Sequence, residues 1–149
     1  MVNTKAHIIA QLQKNILLLQ GFKPATNDAC KTVLNPVRHS FPNSVFPSGA
    51  IHDFLCSSSE EASASCGFIA GILSSLMKRG GISLWIHSYK NIFPPALKFF
   101  GIDPEKLVFV HLNKDHEKIW AMEEALKCNG LSSVVGEINE IGFTESRRF

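Results

Sequence analysis

Charge is scarce in this chain. Of its 149 residues only 19% are Asp, Glu, Lys or Arg, and the formal net charge is +2. So small an excess does not by itself imply a nucleic-acid partner, although it leaves room for a local basic patch. Metal-ligand spacing is absent too. The four cysteines, at positions 30, 56, 66 and 128, form no C-x-x-C pair and have no paired-histidine spacing beside them, so a zinc finger or ribbon is excluded. They read as buried free thiols in a reducing compartment. No apolar run reaches the roughly 18 residues of a membrane span. At the N-terminus Ile8-Ile9 and Ile16–Leu19 are separated by Gln11, Gln13, Lys14 and Asn15, which is no secretory pattern, and the cytoplasm is the expected location. The serine-rich stretch 57–65 holds no G-x-S-x-G, so it offers no nucleophile elbow.

Apolar content of 45% is enough for one globular domain with a real core. Residues 1–21 read as an N-terminal amphipathic helix, with Ile8, Leu12, Ile16 and Leu19 on one face and Thr4 or Asn3 placed to cap it. That face either packs on the chain's own core or docks on a neighbour. Residues 22–48 form a connector interrupted by Pro24, Pro36, Pro42 and Pro47, hence extended and irregular. Residues 49–149 alternate strand and helix. Strands are expected over 50–56, 82–87, 107–112 and 132–137. Helices are expected over 62–78, from Pro94 to Gly101 with Leu97 and Phe100 inward, over 115–128 with Ile119, Met122 and Leu126 inward, and from 143 onward. The run 107–112, apolar on both faces, reads as a central strand. Such alternation implies a mostly parallel sheet with helices on both faces, and ligand sites beyond the carboxyl ends of its strands.

The first such end is the stretch Cys56, Ser57, Ser58, Ser59, Glu60 and Glu61, read as a polar loop before a helix. A phosphate site there needs small residues whose N–H groups cradle anionic oxygens, then a Lys and a hydroxyl residue. This stretch has no Gly-Lys-Ser/Thr, and Glu60 and Glu61 would repel a phosphate.

Several segments resemble the RecA-like family. Pro47-Ser-Gly-Ala-Ile-His-Asp-Phe54 looks like the turn and strand that lead into its phosphate loop. Leu84-Trp-Ile-His-Ser88, followed by Lys98-Phe-Phe-Gly-Ile-Asp-Pro-Glu-Lys-Leu-Val-Phe-Val110, looks like its second strand, helix and third strand. Gly142-Phe-Thr-Glu-Ser-Arg-Arg-Phe149 is closer to a segment of the degenerate ImuA-like subfamily, accessories of SOS-associated error-prone repair. The resemblance implies an α/β, three-layer RecA-like domain and a role in DNA-damage-induced translesion synthesis. It implies as partners an ImuB-like Y-family polymerase homologue or RecA, with DNA possible and self-association through the N-terminal helix. The family's catalytic glutamate would fall near Tyr89, and Glu137 stands where a Walker B acid belongs. With no Walker A lysine, the resemblance implies a pseudo-ATPase without a cofactor. The family's sheet continues past the position of Phe149, so a C-terminally incomplete or naturally short domain is expected. A SulA-like cell-division inhibitor, resembled over 84–136, is the alternative, and an atypical nucleotide-binding ATPase is a third reading.

Arg147 and Arg148 are the candidates for partner or DNA contact, since paired guanidiniums suit carboxylates and phosphates. Lys78, Arg79 and Lys90 are candidates to extend that basic surface. His52, His87, His111 and His116 have no diagnostic spacing. They are read as hydrogen-bonded histidines, two of them near neighbouring strand ends, with no metal expected. Trp85 and Trp120 are expected in the core.

Overall fold

The structure is a computed structural model and describes residues 4–19, 37–41, 46–78, 80–88 and 94–149. Contacts divide the chain into two units, Met1–Asp53 and Phe54–Phe149. In the first unit, α1 (Thr4–Leu19) is a helix whose Ile8, Leu12 and Ile16 stay about half exposed. A 3-10 turn follows at Arg38–Ser40. Phe46 stacks on His52, which hydrogen-bonds to the Pro47 carbonyl oxygen at 2.7 Å. Most of the proline-rich connector, and Asn3 as a cap for α1, lie outside the described residues.

The second unit is a mixed α/β body. In chain order it contains α2 (Ser59–Met77), β1 (Ile82–His87), α3 (Pro94–Leu97), β2 (Leu107–His111), α4 (Asp115–Leu126), β3 (Leu131–Gly136) and α5 (Phe143–Ser146). Two positive-φ residues in succession, Gly80 and Gly81, turn the chain out of α2 into β1, a conformation glycine adopts without the Cβ penalty. The three strands are parallel in the order β2-β1-β3.

Among the described residues the central strand is therefore β1, and β2 is an edge. The expectation that the apolar run 107–112 would be central is corrected here. Val108 on this edge strand is 44% exposed, whereas Trp85 and Ile86 of β1 are fully buried. An apolar run marks burial on two faces, but it does not say how many strands flank it.

Alternation along each strand sorts the side chains. Trp85, Phe109 and Val135 share the face that meets α2, through Ala70, Leu73 and Met77, together with Leu97, Ile102 and Leu107. Ile86 and Gly136 point the other way. There α4 crosses so closely that a Cβ on Gly136 would collide with Met122 Sδ. Ser83 Oγ, fully buried, is satisfied by Ser133 Oγ at 2.7 Å across the β1–β3 pair.

The expected strand over 50–56 does not form. Residues 51–56 carry no strand, and their C-terminal part packs on α2. Phe54 packs on Phe68 with ring centroids 5.8 Å apart, and the Cys56 thiol donates to Ser65 Oγ at 3.2 Å. Helix contacts have taken the place of a ladder. Two inward positions are also corrected. Phe100 is 46% exposed, and Leu126 is 53% exposed because the buried stripe of α4 ends at Ala125. The described cysteines are not buried: Cys56 and Cys128 are exposed and Cys66 is intermediate.

Candidate functional site

A parallel sheet places its ligands beyond the carboxyl ends of its strands, and the stretch 56–61 expected at one such end leads into α2. Helix α2 begins at Ser59, earlier than the sequence reading put it, so Glu60 and Glu61 belong to its first turn and not to a loop. The cause is local. Ser58 is the N-cap, its hydroxyl accepting from the Glu61 N–H at 3.3 Å, and the Glu61 carboxylate accepts from the Ser57 N–H at 2.6 Å. This is close to the reciprocal capping pattern of Ser-x-x-Glu. The Glu60 carboxyl is held below its usual range, chiefly by its own backbone N–H and then by the Ser58 and Ser59 hydroxyls. The anion-favouring end of α2 thus already carries two carboxylates of its own. Cys56 is exposed beside this cap, and its thiol contacts Ser65 Oγ and the Phe54 carbonyl oxygen.

Glu137 follows β3, and its backbone N–H continues the ladder to Ile86 O at 2.9 Å. Its Oε1 accepts from Trp85 Nε1 at 2.8 Å, which fixes the carboxylate against the core. Cys66 of α2 lies near it. Burial first, then the charges of Glu137 and Cys56, push the Cys66 thiol up, which makes it a poor thiolate.

A second cluster was not singled out from the sequence. Lys118 of α4 is 1% exposed, and its ammonium donates to the Glu137 carbonyl oxygen at 2.8 Å and pairs with Asp115. Asp115 also accepts from the Asn139 N–H at 3.3 Å. Lys118 holds its carboxyl below the ordinary carboxylate range, despite an opposing contribution from burial. The available signal was the i,i+3 pair Asp115–Lys118 at a helix start, which taken alone describes an exposed surface pair.

The two arginines have different surroundings. Arg148 Nη2 lies 2.9 Å from Glu123 Oε2 and ties α5 to α4. Arg147 is exposed, its guanidinium carbon 5.9 Å from the Phe143 ring centroid. Lys78 is exposed at the far end of α2; Tyr89, Arg79 and Lys90 lie outside the described residues. Trp120 is 61% exposed, which corrects its assignment to the core.

These features, a capped start of α2 and the carboxylates of Glu61, Glu137 and Asp115 engaged within the chain, can be compared with known proteins. The chain is similar to ImuA. Two proteins of that name, from two strains of Caulobacter vibrioides, are each 26% identical to it over 111 residues, which is 72% of this chain. The chain spans 46% of the length of each ImuA. No family model matches it. No solved structure matches it either. Among the described residues no helix is long and apolar enough to cross a membrane.

Proposed function

We propose that the chain is a non-catalytic RecA-like module of ImuA type that acts in the cytoplasm by binding other proteins during DNA-damage-induced translesion synthesis. The observation that carries the non-catalytic part is the start of α2. Ser58 caps the Glu61 N–H, the Glu61 carboxylate takes the Ser57 N–H, and two carboxylates stand where a nucleotide's phosphates would need positive charge. The similarity to ImuA supports the pathway. A parallel sheet with α2 against one face and α4 against the other supports the three-layer RecA-like architecture.

The partners that follow from this reading are an ImuB-like polymerase homologue or RecA, with DNA as a further contact through Arg147. The exposed apolar face of α1 supports self-association. Two measurements test the proposal. Calorimetry with ATP and magnesium is expected to show no binding; saturable binding in the micromolar range with phosphate release would make the chain an atypical ATPase. A pull-down is expected to retain the ImuB-like protein. Retention of a division protein in its place would move the chain to the SulA-like reading.

A further inference from the structure

The register of the sheet joins two side chains that the sequence holds far apart. His87 ends β1 and His111 ends β2, and they stand directly opposite each other. By alternation both lie on the face of Trp85 and Phe109. Their ring centroids are 5.4 Å apart and the planes are tilted by 60°, which is not a stacked pair. His87 is further held edge-on against Phe109 at 5.8 Å and is 8% exposed, whereas His111 is exposed. One ring is therefore fixed and the other open to solvent.

We propose that His87 and His111 together bind a divalent transition-metal ion at the carboxyl edge of the sheet. With a metal–nitrogen bond of about 2.0–2.1 Å, two imidazoles sharing one ion have centroids roughly 5–5.5 Å apart, and the pair already stands at that separation. The site needs one nitrogen of each ring and leaves the other for a second partner, as metal-bound histidines ordinarily have. Imidazole donors select Zn²⁺, Ni²⁺ or Cu²⁺ over Mg²⁺ or Ca²⁺. Among the described residues no three His, Cys, Asp or Glu side chains stand together as a ready set. Glu137 is level with His87 on the same face, but its carboxylate is engaged by Trp85. The two histidines therefore form an open site whose remaining positions go to water or to a group from a partner. This reverses the expectation drawn from linear spacing, which does not register a cross-strand pair, and it does not depend on the proposed function.

The test is calorimetric titration of the untagged full chain with Zn²⁺ and with Ni²⁺. One equivalent, removable by EDTA, is expected. His111→Ala and His111→Asn are expected to weaken binding by about tenfold or more, whereas His116→Ala, a change at another exposed histidine, leaves it unchanged. A second readout avoids substituting buried His87. In the Trp120→Phe variant Trp85 is the remaining tryptophan, and stoichiometric Cu²⁺ should quench it because it lies two residues before His87 on the same face. Absence of saturable binding overturns the proposal. So does parental affinity in both His111 variants, or quenching that persists when His111 is replaced.

Discussion

Replacing Lys118 by Met is the most searching test of how the second unit is held together. The substitution keeps an unbranched apolar stem in a position that is 1% exposed and removes only the charge. The hydrogen bond to the Glu137 carbonyl oxygen, at 2.8 Å, is lost; a bond from a charged donor contributes roughly 1.5–3 kcal/mol. The ion pair to Asp115 adds less than about 1 kcal/mol, because that carboxylate side chain is 26% exposed and water screens it. Relief of the lysine's own desolvation offsets part of both. The expected net loss is about 2 kcal/mol at pH 7.

The pH dependence follows from Asp115. Lys118 lowers its folded-state pKa, so its share of stability is present above the unfolded pKa of about 3.9 and is lost as pH falls through the lower folded value. The gap between parent and K118M is therefore expected to narrow as pH falls from 5 toward 3, leaving the part due to the carbonyl bond. Urea unfolding followed by tryptophan fluorescence measures both, since Trp85 is bonded to the same Glu137. A gap under about 0.5 kcal/mol at pH 7, or one that widens toward pH 3, would refute the assignment of Lys118 as a buried tie.

Other substitutions probe separate contacts. Gly136→Ala forces Met122 to move and is expected to cost about 1–3 kcal/mol, with Met122→Ala recovering part of it in the double variant; additive losses would show that the two do not touch. Ser58→Ala removes the N-cap of α2 and is expected to cost about 1 kcal/mol in urea unfolding, whereas Ser63→Ala, on the next turn, should cost less. Arg148→Ala is expected to lower stability by about 0.5–1 kcal/mol through loss of the Glu123 pair, while Arg147→Ala changes stability little. Equal losses at the two arginines would argue against their different roles.

What the sequence revealed depended on whether the cause was local. The span 82–87 is legible as a strand because six residues between a double glycine and a polar turn can bury little else, and β1 occupies the same span. The order of strands is not local, which is why β2 read as central. The stretch 50–56 has a strand's composition, but its fate is decided by Phe68 and Ser65, which stand more than two helical turns away in the next element. At Glu61 the pattern Ser-x-x-Glu is local and legible, and the carboxylate closes the start of its own helix on the Ser57 N–H. Lys118 illustrates the limit in the other direction. On a helix with many charges it looks solvated, and only the arrival of Glu137 at the end of β3 buries it.

The position of β1 also has a consequence for how the chain emerges during synthesis. β1 precedes both of its neighbours, and parallel pairing means that neither contact can be closed by a hairpin. A ribosome-bound fragment that ends before Leu107 has Trp85 and Ile86 but neither β2 nor β3 to set beside them. One that ends before Leu131 has a two-stranded ribbon with one flank open and the Trp85 indole without its carboxylate. Nascent chains of this length expose an unpaired apolar edge, the condition under which chaperone capture and aggregation compete with folding. The three described strands come together only once residues 131–136 have left the exit tunnel.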